Sequence, residues 1–138
     1  SLKVTFNELK SDLQKNSEED CQNKLIAIIC TAYYKVVGKM PYPTQILALL
    51  LNAHLDNKNL VCEIDTGEGK GVTVGLLALL KFVRQENNTV LVRTTTPDLV
   101  RQDLYEKKNA HFFELFDVPS HILDQKMESK DFKAGCIY

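Results

Sequence analysis

Residues 64 to 75, Ile-Asp-Thr-Gly-Glu-Gly-Lys-Gly-Val-Thr-Val-Gly, constrain the fold more than any other stretch, because a glycine-rich turn here joins an apolar run to a helical pattern. The run from Asn59 to Ile64 has strand length, and Val72 to Val83 has the apolar spacing of a buried helix that extends over about Lys70 to Gln85. Strand, glycine turn and helix together make a phosphate cradle. Successive backbone N–H groups converge on the anion, the helix N-terminus adds about half a positive charge, and a lysine neutralises the outer phosphates. In the usual form of such a loop, Gly-Lys is followed by a Ser or Thr whose hydroxyl holds magnesium. Here Gly69-Lys70 is followed by Gly71, and that hydroxyl is missing. Thr73 lies about 200° further around the helix and does not substitute directly.

The rest of the chain supplies a setting for that turn. Apolar residues recur at helical spacing from Thr5 to Gln14 and from Glu18 to Val37, where Leu25, Ile28, Ile29, Ala32, Tyr33 and Val36 form one face. Ser17 is the expected N-cap of the second helix and Gly38 its C-cap. Pro41-Tyr42-Pro43 forces an extended segment, and Pro43 opens a third helix running to about Leu55. After Asn57, short apolar runs alternate with longer amphipathic ones. Strands are predicted at Asn59–Ile64, Thr89–Thr94, about Ser120–Leu123 and Gly135–Tyr138, and helices at about Lys70–Gln85 and Pro97–Phe116. Asn87-Asn88 makes a turn between helix and strand. Strands separated by helices imply right-handed crossovers and a parallel sheet. The expected fold is therefore α/β, a parallel sheet flanked by helices and preceded by an N-terminal helical segment, with residues 1–40 forming that segment and 41–138 the sheet-containing domain.

Composition narrows the function. With 17 basic and 18 acidic residues, the chain has no broad field to attract nucleic acid or a membrane surface. Its size suits one domain that buries roughly two thirds of the unfolded surface. No apolar run reaches the roughly 18 residues of a membrane span. The four cysteines, Cys21, Cys30, Cys62 and Cys136, form no close pair of metal-ligand spacing and read as buried, reduced thiols of an intracellular protein. His54, His111 and His121 are too scattered to suggest a metal site.

A second feature bears on nucleotide. Tyr42-Pro43-Thr44-Gln45 precedes the loop, and a Gln at a helix start near the loop can either pair with an adenine edge or cap the helix. At this point the sequence resembles the first ATPase domain of SecA, the preprotein translocase motor and a relative of the DEAD-box helicases. The family's segment ending in Gln is matched by Gly38-Lys39-Met40-Pro41-Tyr42-Pro43-Thr44-Gln45. Its loop is matched by Asp65-Thr66-Gly67-Glu68-Gly69-Lys70-Gly71, and its next motif by Thr94-Thr95-Thr96-Pro97-Asp98-Leu99-Val100-Arg101-Gln102-Asp103. Gly135-Cys136-Ile137-Tyr138 resembles a further strand of the family.

The resemblance implies a RecA-like, P-loop sheet that binds ATP or ADP. Gln45 would read adenine, Thr66, Gly67, Glu68, Gly69 and Lys70 would wrap the phosphates, and Gly71 would stand at the magnesium position. It further implies a motor that moves a polypeptide, with a polypeptide or protein partner, further motor domains in a longer chain, and a cytoplasmic setting with peripheral membrane association. Host-directed secretion stays open. Three departures, Met40 for an arginine, Asp65 for a lysine and Gly71 for a hydroxyl residue, argue against metal-assisted hydrolysis. The family's Asp-Glu pair has no counterpart in these 138 residues, so the resemblance implies a fragment ending before that motif and unable to turn ATP over alone. No catalytic residue is assigned. Two other readings stay open: a degenerate domain kept as a protein-interaction module, and, disfavoured by the neutral charge, a nucleic-acid helicase domain.

Smaller features have plainer readings. Phe112, Phe113 and Phe116 with Leu115 suit a helix face packed on the sheet. Arg101 and Lys107-Lys108 suit a solvated helix face or contact with a threaded polymer. Asp98 and Asp103 are assigned no partner.

Overall fold

The computed structural model describes residues 4, 5, 7, 8, 11, 19–55, 61–65, 67–84, 89–123 and 135–138. Ser17, Thr66, Asn87-Asn88 and the start of the Asn59–Ile64 run lie outside the described residues. Of the first expected helix, 5, 7, 8 and 11 are described, and each is helical, as is residue 4 just before it.

Helix α1 spans Glu19–Val37 and begins with two acidic residues at its positive end. It stops at Gly38, whose φ of +79° is the left-handed conformation of a C-terminal cap and whose amide donates to the carbonyl of Tyr34 at 2.8 Å. Helix α2, Pro43–His54, opens on proline as expected. Helix α3, Lys70–Arg84, follows the glycine turn and is the most thoroughly buried of the three, with Leu76, Leu79, Leu80 and Val83 fully enclosed. Its far end is tied to α2 by Arg84, which donates from Nη1 to the carbonyl of Asn52 at 3.0 Å.

Three short strands follow, β1 (Thr89–Leu91), β2 (Ser120–His121) and β3 (Gly135–Ile137). They form a parallel sheet in the order β1-β3-β2, with Val90 opposite Cys136 and His121 opposite Ile137. Fold class is thus mixed helix and small parallel sheet, although among the described residues the sheet has three strands rather than the expected four. The missing one is the run before the glycine turn. Its described part, 61–65, pairs with no strand, and Val61 is 95% exposed. A central parallel strand is buried on both faces, and Val-Cys-Glu-Ile-Asp in that position would carry Glu63 and Asp65, both exposed here, into the interior.

The long helix expected over Pro97–Phe116 is also divided. Helix α4 covers Pro97–Arg101, with the Thr96 hydroxyl accepting from the amide of Leu99. A π-helical turn follows at Gln102–Glu106, closed by the Lys107 amide donating to the Gln102 carbonyl at 3.0 Å. Lys108 then takes a left-handed φ of 60° and α5 runs Asn109–Glu114. The wider turn and the reversed residue re-aim the chain, so α5 packs on the core in a direction that an unbroken helix would not reach.

That core joins α1, α2, α3 and α5 beneath the sheet. Phe112 is its centre, edge-on to Tyr33 at 6.1 Å and to Phe116 at 5.8 Å, while Phe113 lies 6.3 Å from the Tyr138 ring. The three phenylalanines are buried core residues, as their spacing suggests. The cysteines require a correction. Cys30 and Cys136 are buried, but Cys21 is half-buried and Cys62 exposed, because the 61–65 segment stays outside the sheet. Among the described residues no helix is long and apolar enough to cross a membrane.

Candidate functional site

The glycine turn lies between the start of α2 and the start of α3. Gly67 and Gly69 both have positive φ, 95° and 73°, values that a side chain at either position would strain. The Glu68 amide donates back to the Asp65 carbonyl at 3.2 Å, and the amides of Val72 and Thr73 both donate to the Gly69 carbonyl, at 3.0 and 3.1 Å, beginning α3. Among the described residues the amides of Gly69, Lys70 and Gly71 have no acceptor. They stand at the positive end of a fifteen-residue helix, beside the exposed side chain of Lys70. Thr73 is buried and donates its hydroxyl to the same Gly69 carbonyl at 3.4 Å, so that oxygen is turned into the loop.

Gln45 holds the turn from the other side. It is 3% exposed, its Oε1 accepts from the Tyr42 amide at 2.8 Å, and its Nε2 donates to the carbonyls of Glu68 at 3.0 Å and Gly69 at 3.3 Å. It therefore both caps α2 and fastens the loop to it. The Thr44 hydroxyl adds a longer bond to the Glu68 carboxylate at 3.3 Å. A side chain at position 69 would run into the Gln45 amide, which gives a second reason for glycine there.

The third wall comes from residues that sequence reasoning did not place at the loop. Asp103, on the π-helical turn, is buried with its carboxylate against Gly71. Lys107 donates from Nζ to Asp103 Oδ1 at 2.8 Å, and its ammonium lies 2.5 Å from where a Cβ at position 71 would sit. Asn109, also buried, donates from Nδ2 to the Gly71 carbonyl at 3.0 Å. The i,i+4 spacing of Asp103 and Lys107 is a sequence signal for their pair. Nothing in the sequence signals that the pair meets Gly71. Lys107 is thus paired and half-buried, whereas Arg101 and Lys108 remain solvated.

Of the residues that the sequence singles out, Gln45, Gly67, Glu68, Gly69, Lys70 and Gly71 converge on one corner. Thr66 is outside the described residues. Asp65 and Met40 are exposed. The sequence matches the SecA DEAD-like domain family over residues 1–135. The chain belongs to that family. A comparison with curated proteins returned no match. In this SecA DEAD-like domain a groove of about 630 Å³ adjoins the loop, walled by Leu47, Leu51, Val61, Ile64 and Glu68.

The magnesium ion expected of such loops fits these residues poorly. Position 71 offers no hydroxyl, and the volume where one would stand is taken by the Asp103 carboxylate and the Lys107 ammonium. The Asp103 carboxylate, which could otherwise ligate a divalent cation, is already paired with Lys107 at 2.8 Å, and a cation there would face that ammonium at close range.

Proposed function

We propose that this SecA DEAD-like domain binds the phosphates of ATP or ADP at the corner formed by residues 67–71. The observation that carries this reading is the set of amides at Gly69, Lys70 and Gly71, unpaired among the described residues and gathered at the N-terminus of α3 beside the Lys70 side chain. Amides so placed stabilise an anion through fixed partial charges, and a lysine adds a full one. Gln45 is the residue we assign to the base. Recognition of an adenine edge would exchange its bonds to Glu68 and Gly69 for bonds to the ring, releasing the loop from α2 as it does so. The neighbouring groove has the size of a small-ligand cleft and apolar walls suited to a purine.

In this reading residues 1–40 are a helical segment packed on the nucleotide domain formed by 41–138, and binding serves a motor that moves polypeptide. The role is nucleotide binding, not turnover by this chain alone. Calorimetric titration with ATP and with ADP tests it. Binding that Lys70→Ala weakens at least severalfold supports the proposal, and the absence of heat with either nucleotide at millimolar concentration overturns it.

A further inference from the structure

Every cation site depends on what already occupies its neighbourhood, and here an organic cation is built in. Asp103 is 5% exposed and reaches the Gly71 backbone from the π-helical turn, where its carboxylate accepts a hydrogen bond from the Lys107 ammonium at 2.8 Å. Asn109 fixes the register between the two elements through the Gly71 carbonyl. The ammonium has two further protons that donate to nothing among the described residues. It stands within contact distance of the first turn of α3, beside the amides assigned above to phosphate. A residue with a hydroxyl cannot be placed at 71 without displacing this pair.

We propose that Lys107, held by Asp103, is the resident cationic hydrogen-bond donor of the loop, so that the chain binds nucleoside di- and triphosphates without a divalent metal. This inference rests on the nucleotide-binding reading above. Chemically, the ammonium offers its two remaining N–H groups to phosphate oxygens from a fixed position; because the Asp103 carboxylate balances its charge, it supplies directed hydrogen bonds rather than the divalent charge of a magnesium ion. Lys107 is a binding residue in this scheme and Asp103 a positioning residue.

Paired titrations of the unaltered chain with ATP, one in excess magnesium and one in excess EDTA, test the proposal without any substitution. The expected result is a Kd that agrees within about twofold between the two buffers, and a Kd for Lys107→Gln about tenfold higher in EDTA. Lys107→Arg, which keeps the charge, is expected to stay within about threefold of the unaltered chain. Binding that EDTA abolishes overturns metal independence and leaves nucleotide binding standing. Binding in both buffers that is unchanged in Lys107→Gln overturns the role of Lys107. Absence of binding in both buffers overturns this inference together with the reading on which it rests.

Discussion

Asn109 donates from its buried Nδ2 to the carbonyl of Gly71 at 3.0 Å, joining two residues 38 apart in sequence. The contact is possible because α3 presents glycine at 71 and again one turn later at 75, where an added Cβ would lie 2.6 to 2.7 Å from the Asn109 amide group. Two missing side chains let the segment carrying Asp103 and Asn109 lie directly on the helix backbone.

The first prediction is a reversal of sign. Gly75→Ala alone should destabilise by about 1–2 kcal/mol, because the clash with Asn109 exceeds the roughly 1 kcal/mol that alanine gains over glycine within a helix. In an Asn109→Ala background the clash is gone, and the same change should stabilise by about 0.5–1 kcal/mol. Urea unfolding of the four chains measures this. The same sign in both backgrounds would show that Asn109 does not bear on Gly75.

Alanine at the two glycines of the loop should separate backbone strain from crowding. Gly67 has open space where a methyl group would be added, so Gly67→Ala meets only its positive φ and should cost about 1 kcal/mol. Gly69→Ala meets the positive φ and also the Gln45 amide at 2.5 Å, and should cost about 2–4 kcal/mol. Gln45→Ala should relieve the second part of that cost. Equal losses at 67 and 69 would mean that the Gln45 latch contributes little.

Stability should fall in alkali. Burial pushes the Cys136 thiol from its ordinary 9.0 up to about 12, and also raises Cys30 and Tyr138. In each case the folded state keeps a proton that the unfolded chain gives up. The stabilisation is therefore complete below about pH 9 and lost as pH rises toward 12. A single such group contributes a slope of about 1.4 kcal/mol per pH unit within its window. Thermal melts of the wild type and Cys136→Ala from pH 8 to 11 should show a shallower decline in the variant. Parallel declines would remove Cys136 from the explanation.

Thiol labelling should find one fast site. Cys62 is exposed, Cys21 half-buried, and Cys30 and Cys136 enclosed, so a chromogenic disulfide reagent should modify Cys62 first and lose that phase in Cys62→Ser. Because Cys62 also lines the groove beside the loop, ATP should slow its labelling if the base enters there. A fast phase that survives in Cys62→Ser would contradict the exposed placement of the 61–65 segment.

Much of the helical framework is legible in the sequence. The limits of α1 and α2, the cap at Gly38, proline at the start of α2 and glycine at the turn before α3 follow from periodicity and from backbone conformations that few residues tolerate. The convergence of Gln45 on Gly67–Gly71 follows from the family resemblance, which the match over residues 1–135 supports. The split of Pro97–Phe116 is not legible, because a π-helical turn preserves much of the apolar spacing of a helix. Nor is the absence of residues 61–65 from the sheet, since a short apolar run with strand composition pairs only when a sheet edge accepts it and its charges can stay in solvent.

By itself, then, the sequence determined what each segment does locally: where helices start and stop, and that glycine, not a hydroxyl residue, stands after Lys70. The tertiary structure alone decided what fills the space that glycine leaves. Asp103, Lys107 and Asn109 reach it from more than thirty residues away because packing of α5 on the core aims them there, and no local rule encodes a contact set by the mutual orientation of two elements.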